Sequence, residues 1–232
     1  MKVIVPLAGP DFEREDGSVK AEILVEGQPL LRRCLDRRIW WQRGQVHGED
    51  LLFVLRDAPR SRRFAGECLA AWYPGAQVVT LSATACGAAL SALAAVALAG
   101  HAAGPLCVDL VDIEYQSSFD PKRCFAERSH VGAVALVFAS TDPAYSYLRT
   151  NADGNVVEAT EKRVISQHAS AGTYFFDSAA TYLEALAHNL RHRQDVMHKS
   201  LFFVCPLYNG VIAGGRRVIL EQVHDVRDIE LA

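Results

Sequence analysis

The sequence predicts an α/β fold of three layers, with a mostly parallel, mixed central sheet and helices on both faces. Three observations carry this. Through the first half of the 232 residues, short apolar runs of strand length alternate with stretches of helical spacing. That alternation calls for right-handed crossovers and a sheet covered on both sides. The second half changes rhythm to closely spaced strand-like runs around a turn, which adds further strands to the sheet. Half of the residues are apolar and 22% are charged, an ordinary balance for a chain that buries one substantial core.

In order, residues 2–8 form a β-branched run ending at Gly9 and Pro10, a buried strand entering a loop. Residues 29–41 carry Leu30, Leu31, Cys34, Leu35 and Ile39 at helical spacing. A strand at 51–55, a helix at 60–72 and a strand at 77–81 follow, then an alanine-rich helix from about 85 and a strand at 106–111. Beyond these, 134–138, 145–149, 156–159 and 172–176 are strand-like, with a turn at Asn151-Ala152-Asp153-Gly154. Helices at 179–190 and 207–212 and a strand at 217–222 complete the list. Without a linker or internal repeat, a single domain over 1–232 is expected. Ligands of such sheets collect at the carboxyl ends of the strands, which directs attention to the residues after Leu7, Val111 and Val223.

Composition narrows the partners. A net charge of −3 gives no electrostatic footprint for nucleic acid or an anionic membrane. The arginine-dense stretch 32–63 reads as solvated helix faces and loops. The six cysteines are widely spaced and form no C-x-x-C pair, which fits core thiols in a reducing compartment. The opening Met1-Lys2-Val3-Ile4-Val5-Pro6 is too short an apolar run for a signal peptide. Gly87, Gly100 and His101 interrupt the small-residue run 83–103, so it reads as a buried helix in a soluble chain. His188 and His192 have H-x-x-x-H spacing, but their basic surroundings make them a solvated helix end.

The first loop runs Leu7-Ala8-Gly9-Pro10-Asp11-Phe12-Glu13-Arg14-Glu15-Asp16-Gly17-Ser18-Val19-Lys20, followed shortly by Val25-Glu26-Gly27-Gln28-Pro29-Leu30-Leu31. Here the chain resembles the sugar-phosphate nucleotidyltransferase family, which opens with a strand, an A-G-x-G-x-R-type loop, a lysine and a V-x-G-x-P-L/M-I segment. A triphosphate needs glycine for close approach of backbone N–H groups, and cations to offset its charge. The resemblance therefore implies nucleotide binding by Leu7, Ala8 and Gly9, with Arg14 and Lys20 as catalytic cations. The chain departs from the pattern at the second glycine, where it has Pro10-Asp11. A carboxylate there repels a triphosphate unless a metal intervenes.

Four further segments continue the resemblance in order. Thr84-Ala85-Cys86-Gly87-Ala88-Ala89-Leu90 looks like the family's T-x-G-x-A-x-A-L, which would place Gly87 near the nucleobase. Val108-Asp109-Leu110-Val111-Asp112-Ile113-Glu114 covers the strand end where the family holds Mg2+, with Asp112 as the matching ligand. Glu158-Ala159-Thr160-Glu161-Lys162 and Ala171-Gly172-Thr173-Tyr174-Phe175-Phe176 resemble V-x-E-x-x-E-K and A-x-x-G-x-Y-x-F. They imply sugar and acceptor binding by Glu161, Lys162 and Gly172, with Lys162 also catalytic. Val223-His224-Asp225-Val226-Arg227-Asp228-Ile229-Glu230 resembles the closing W-x-D-x-G-T-x-E-D-L segment, which makes Asp225 the second metal ligand.

The resemblance spans 3–230 and implies a Rossmann-like nucleotide-diphospho-sugar transferase architecture, with a nucleotide-binding half at 1–115 and an acceptor half at 116–232. It implies a cytoplasmic enzyme that joins a nucleoside monophosphate, from a nucleoside triphosphate, to a sugar phosphate and releases pyrophosphate. Such an enzyme supplies sugar nucleotides, as for capsule or other polysaccharide synthesis, and is compatible with a homo-oligomer. Two alternatives of the same fold stand beside it, besides an interaction subunit suggested by nothing beyond the arginine-dense stretch 32–63. One is a glycosyltransferase of the same architecture, with Asp112-Ile113-Glu114 as a D-x-D-like metal motif. The other is a degenerate paralogue that binds a nucleotide or sugar nucleotide without turnover.

Overall fold

The computed structural model describes residues 1–99 and 104–229. The end of the alanine-rich run, with Gly100 and His101, and the Glu230 of the closing segment lie outside the described residues. The chain runs β1 (Lys2–Pro6), a hairpin of β2 (Leu24–Val25) and β3 (Gln28–Pro29), α1 (Leu30–Leu35), α2 (Ile39–Gln42) and β4 (Leu51–Arg56). Next come α3 (Pro59–Phe64), a π-turn at Ala65–Leu69, α4 (Ala70–Trp72), β5 (Gln77–Leu81), α5 (Ala88–Ala99), β6 (Leu106–Asp109) and β7 (Ile113–Gln116). The rest is α6 (Pro121–Glu127), β8 (Val131–Ala139), β9 (Tyr147–Thr150), β10 (Val156–Thr160), β11 (His168–Phe176), α7 (Ala179–Arg191), α8 (Arg193–Val196), α9 (Leu207–Ala213), β12 (Arg217–Gln222) and β13 (His224–Asp228).

Among the described residues, nine strands form the main sheet, along the path β10-β9-β11-β6-β1-β4-β5, with β8 joining β11 and β12. β1 lies parallel to β4 and β6, and β4 to β5; β11 runs antiparallel to β6, β8 and β9. Strand alternation sends Val3 and Val5 to one face and Ile4 to the other. The first face packs on Leu31, Leu35, Trp40 and Phe64 from the early helices, and the second on Ala92, Val96, Tyr182 and Tyr208 from α5, α7 and α9. This is the mixed three-layer α/β sheet the sequence predicts. Among the described residues, no helix is long and apolar enough to cross a membrane.

The local departures have physical causes. The helix expected over 29–41 breaks into α1 and α2 because Arg38 is extended (φ −63°, ψ 128°) and turns its guanidinium inward to Asp109. The alanine-rich helix begins at Ala88 rather than near 85, since Gly87 has φ +104° and cannot continue a right-handed helix. β6 ends at Asp109, short of 111, because Val111 sits at φ +53°. The arginine-dense stretch is not uniformly solvated: Arg33 and Arg38 are buried, at 5% and 1% exposure.

Candidate functional site

Two hollows meet at the carboxyl ends of β1 and β6, and Leu110 and Asp112 line both. The smaller, about 90 Å3, is walled by Leu7, Gly9, Asp11, Lys20 and Val111. The larger, about 310 Å3, is walled by Ser146, Glu161, Lys162, Gly172 and Asp228. Leu110 and Asp112 are thus their shared wall.

The three carboxylates of this stretch have different fates. Asp109 is fully buried at the end of β6, and Arg38 takes both its oxygens: Nε donates to Oδ2 at 2.7 Å and Nη2 to Oδ1 at 2.9 Å. The Arg38 guanidinium also lies 4.0 Å from the centroid of the Tyr115 ring. Glu114 accepts from Arg33 at 2.8 Å and from Arg37. Only Asp112 stands in both hollows, and its Oδ1 is buried with no hydrogen-bond partner among the described residues. Burial pushes its carboxyl up to about 6, against the opposing pull of Lys20. Glu114 is held by arginines and lines a third hollow that Asp112 does not line.

Backbone strain holds Asp112 in place. Val111 is β-branched and has φ +53°, a conformation such residues rarely adopt. The Asp109 carboxylate fixes it by accepting from the Val111 N–H at 3.0 Å. One carboxylate thereby aims the next into the hollows. From the other side, Gly172 (φ +74°) accepts from the Leu110 N–H at 2.9 Å. A Cβ on Gly172 would lie 2.7 Å from Asp112 Oδ1. Gly172→Ala is therefore expected to displace Asp112 and cut any turnover at least tenfold, with a strain cost of about 1 kcal/mol from the positive φ. Steady-state rates beside a thermal melt measure both effects, and unchanged rates would remove Gly172 from the site.

In the larger hollow Glu161 accepts from the Ser146 hydroxyl, and burial pushes its carboxyl up to about 7. Lys162 has φ +50° and donates its N–H to the Tyr145 carbonyl at 3.1 Å, which presents its side chain to the hollow. The expected acceptor group of Glu161, Lys162 and Gly172 is thus brought together beside Asp112.

The nucleotide-side residues are gathered less completely. Leu7, Gly9 and Lys20 line the smaller hollow, with Lys20 Nζ 3.2 Å from Asp11 Oδ2. Ala8 points to the opposite face of the sheet, in the core. Arg14 lines neither hollow; it pairs with exposed Asp16 at 3.4 Å. Gly87 also lines neither, and it seats the start of α5 against the Phe202 backbone, where a Cβ would meet the nitrogen at 2.7 Å.

Asp225 is the clearest correction. It lines the third hollow with Arg37, Gln42 and Gln116, while Asp228 lines the larger hollow with Asp112. The cause is β13, a polar strand that continues past Val223 and pairs with β7, setting Asp228 opposite Ile113. The Ile229 N–H then donates to the Asp112 carbonyl at 3.2 Å. Ile229, buried at 7% exposure, follows the end of this strand.

No protein-family model matches the chain, and no curated protein matches it. Solved structures do. A nucleoside-diphosphate-sugar pyrophosphorylase from Vibrio cholerae RC9 superposes with a TM-score of 0.78 at 20% identity, over 97% of this chain and 94% of that one. A Bacillus anthracis chain described as a glucose-1-phosphate thymidylyltransferase, in complex with sucrose, gives 0.69 at 15% identity, over 96% and 86%. A UDP-glucose pyrophosphorylase complexed with UDP-glucose gives 0.67 at 14% identity, over 98% and 92%. At these identities the likeness is one of fold.

Proposed function

We propose that this chain is a Mg2+-dependent nucleotidyltransferase that joins a nucleoside monophosphate, from a nucleoside triphosphate, to a sugar phosphate. The single observation that carries the reading is Asp112, a carboxylate with an unpartnered buried oxygen at the junction of the two hollows. Likeness in fold to pyrophosphorylases of sugar nucleotides supports the same reading.

Asp112 and Asp228 would hold the metal, in place of the Asp112 and Asp225 pair. Two carboxylates suit Mg2+, which keeps several waters and takes its other ligands from substrate phosphates. When bound, the ion neutralises charge at the phosphates. The other roles fall to the chain's own side chains. Lys20 offsets charge on the triphosphate from the smaller hollow. Lys162 holds the acceptor phosphate, and Glu161 accepts from sugar hydroxyls. An oxygen of the acceptor phosphate attacks the α-phosphorus; that P–O bond forms as the bond to the bridging oxygen breaks, and pyrophosphate carries away the electron pair. The attacking oxygen is already anionic, so positioning and charge neutralisation suffice. We place such an enzyme in the cytoplasm, in sugar-nucleotide supply.

A panel of triphosphates and sugar 1-phosphates with Mg2+ tests the reading through pyrophosphate release. Silence across the panel, with nucleotide still bound, would favour the degenerate paralogue, for which the Pro10-Asp11 loop speaks. Sugar transfer without pyrophosphate would favour the glycosyltransferase.

A pH profile probes Glu161. With its carboxyl at about 7, the ionised, hydroxyl-accepting form dominates only above that value. Wild-type acceptor KM is expected to fall as pH rises through 7. Glu161→Gln should raise KM about tenfold at pH 8 and match the wild type at pH 6. Because the folded value lies above the usual 4.5, stability from this group is lost as pH rises from 4.5 through 7. The variant should gain thermal stability on the wild type across that window.

A further inference from the structure

Among the described residues that line the smaller hollow, Lys20 is the one cation, and Asp11 and Asp112 line it too. Asp11 comes from the position directly after Pro10 and folds back over the loop. Its Oδ1 would lie 2.7 Å from a Cβ placed on Gly9, and its Oδ2 lies 3.2 Å from Lys20 Nζ. Two positions of the same loop offer an anion no backbone donor. Pro10 has no N–H, and the Phe12 N–H is already given to the Gly9 carbonyl at 3.2 Å. The open space, about 90 Å3, lies against the Asp11 side chain.

We propose that Asp11 is a specificity-determining residue that serves as the loop's own anion: it holds Lys20, and a phosphate chain enters only by displacing it. This rests on the nucleotidyltransferase reading in taking the smaller hollow as the phosphate side. Its consequence is distinct. Bare polyphosphate meets a carboxylate at the point of closest backbone approach, where like charges in a partly desolvated cleft repel. The loop therefore favours triphosphates whose charge is already compensated over free ones. The Asp11 side chain is 67% exposed, so replacing it leaves the core intact.

The test is calorimetric titration with inorganic tripolyphosphate in EDTA at fixed ionic strength, comparing wild type, Asp11→Asn and Glu15→Gln. Glu15 lies in the same loop, is exposed and lines neither hollow, so its variant carries the same change in net charge. Asp11→Asn should bind about tenfold tighter, equal to about 1.4 kcal/mol, and Glu15→Gln should match the wild type. Adding Lys20→Met to Asp11→Asn should erase the gain. Equal tightening in both single variants would reduce the effect to bulk charge and overturn the proposal. Weaker binding by Asp11→Asn, or no change, or no binding by any variant, would overturn it too. The two readings fail separately. Tighter binding without pyrophosphate release across the substrate panel removes the activity and keeps the loop anion; release with an unchanged Asp11→Asn does the reverse.

Discussion

Asp112→Asn is expected to lower Mg2+-dependent pyrophosphate release by about 10²–10³-fold, the size of effect seen when one preorganised charge-stabilising group is removed, while leaving the fold at least as stable. The two halves of this expectation come from the same atoms. Asp112 Oδ1 is buried without a hydrogen-bond partner among the described residues, so an ionised carboxylate there costs stability unless a cation is bound. Burial holds its carboxyl at about 6 rather than 3.8. A carboxyl raised on folding stabilises the folded chain while protonated and loses that contribution as pH rises from about 4 to 6. At pH 8 and without metal, the wild type carries the full penalty and asparagine does not. A gain of about 1 kcal/mol, roughly 2–4 °C in Tm, is the expected sign and size. Rates and melts on one preparation separate a lost ligand from a lost fold. Unchanged turnover would remove Asp112 from the metal site.

The largest stability effect is expected at Arg38. Its guanidinium is 1% exposed and Asp109 is 0% exposed, with two hydrogen bonds between them at 2.7 and 2.9 Å. Removing one partner of such a pair strands the other charge in the core, which costs about 3–5 kcal/mol. Arg38→Met should therefore lower Tm by roughly 10 °C or more. Combining it with Asp109→Asn removes the stranded charge and keeps an oxygen for the Val111 N–H. The double variant should recover more than half of the loss. Urea denaturation measures both, and an Arg38→Met protein within 1 kcal/mol of the wild type would mean that the pair does not hold the fold together. The expected coupling to activity is indirect, through Val111 and the aim of Asp112.

Much of this architecture is legible in the sequence, for reasons visible at particular residues. The strands at Gln77–Leu81 and Arg217–Gln222 coincide with their expected bounds because each is an apolar run closed by polar or turn residues. The grouping of Glu161, Lys162 and Gly172 in one hollow follows from the two-strand frame that holds them, which exists as β10 and β11. Arg38 was hidden, since an arginine among arginines gives no sign that it faces inward until Asp109, 71 residues later, is placed beside it. β13 was hidden for another reason. His224-Asp225-Val226-Arg227-Asp228 has no apolar period, and its strand character comes entirely from pairing with β7. The motif resemblance points to Asp225, and only the pairing of β13 with β7 brings Asp228 to the hollow that Asp112 lines.

β11 has a consequence for how the chain is made. It is the only strand that joins β6 to β8 and β9 among the described residues, and it also delivers Gly172 against Asp112. Until residue 176 has emerged from the ribosome, the outer edge of β6 has no neighbour and Asp112 has no opposite wall. The nascent chain can bury the parallel half of its sheet early, but Gly172 meets Asp112 only when β11 pairs with β6, and Asp228 joins that hollow later still, with β13.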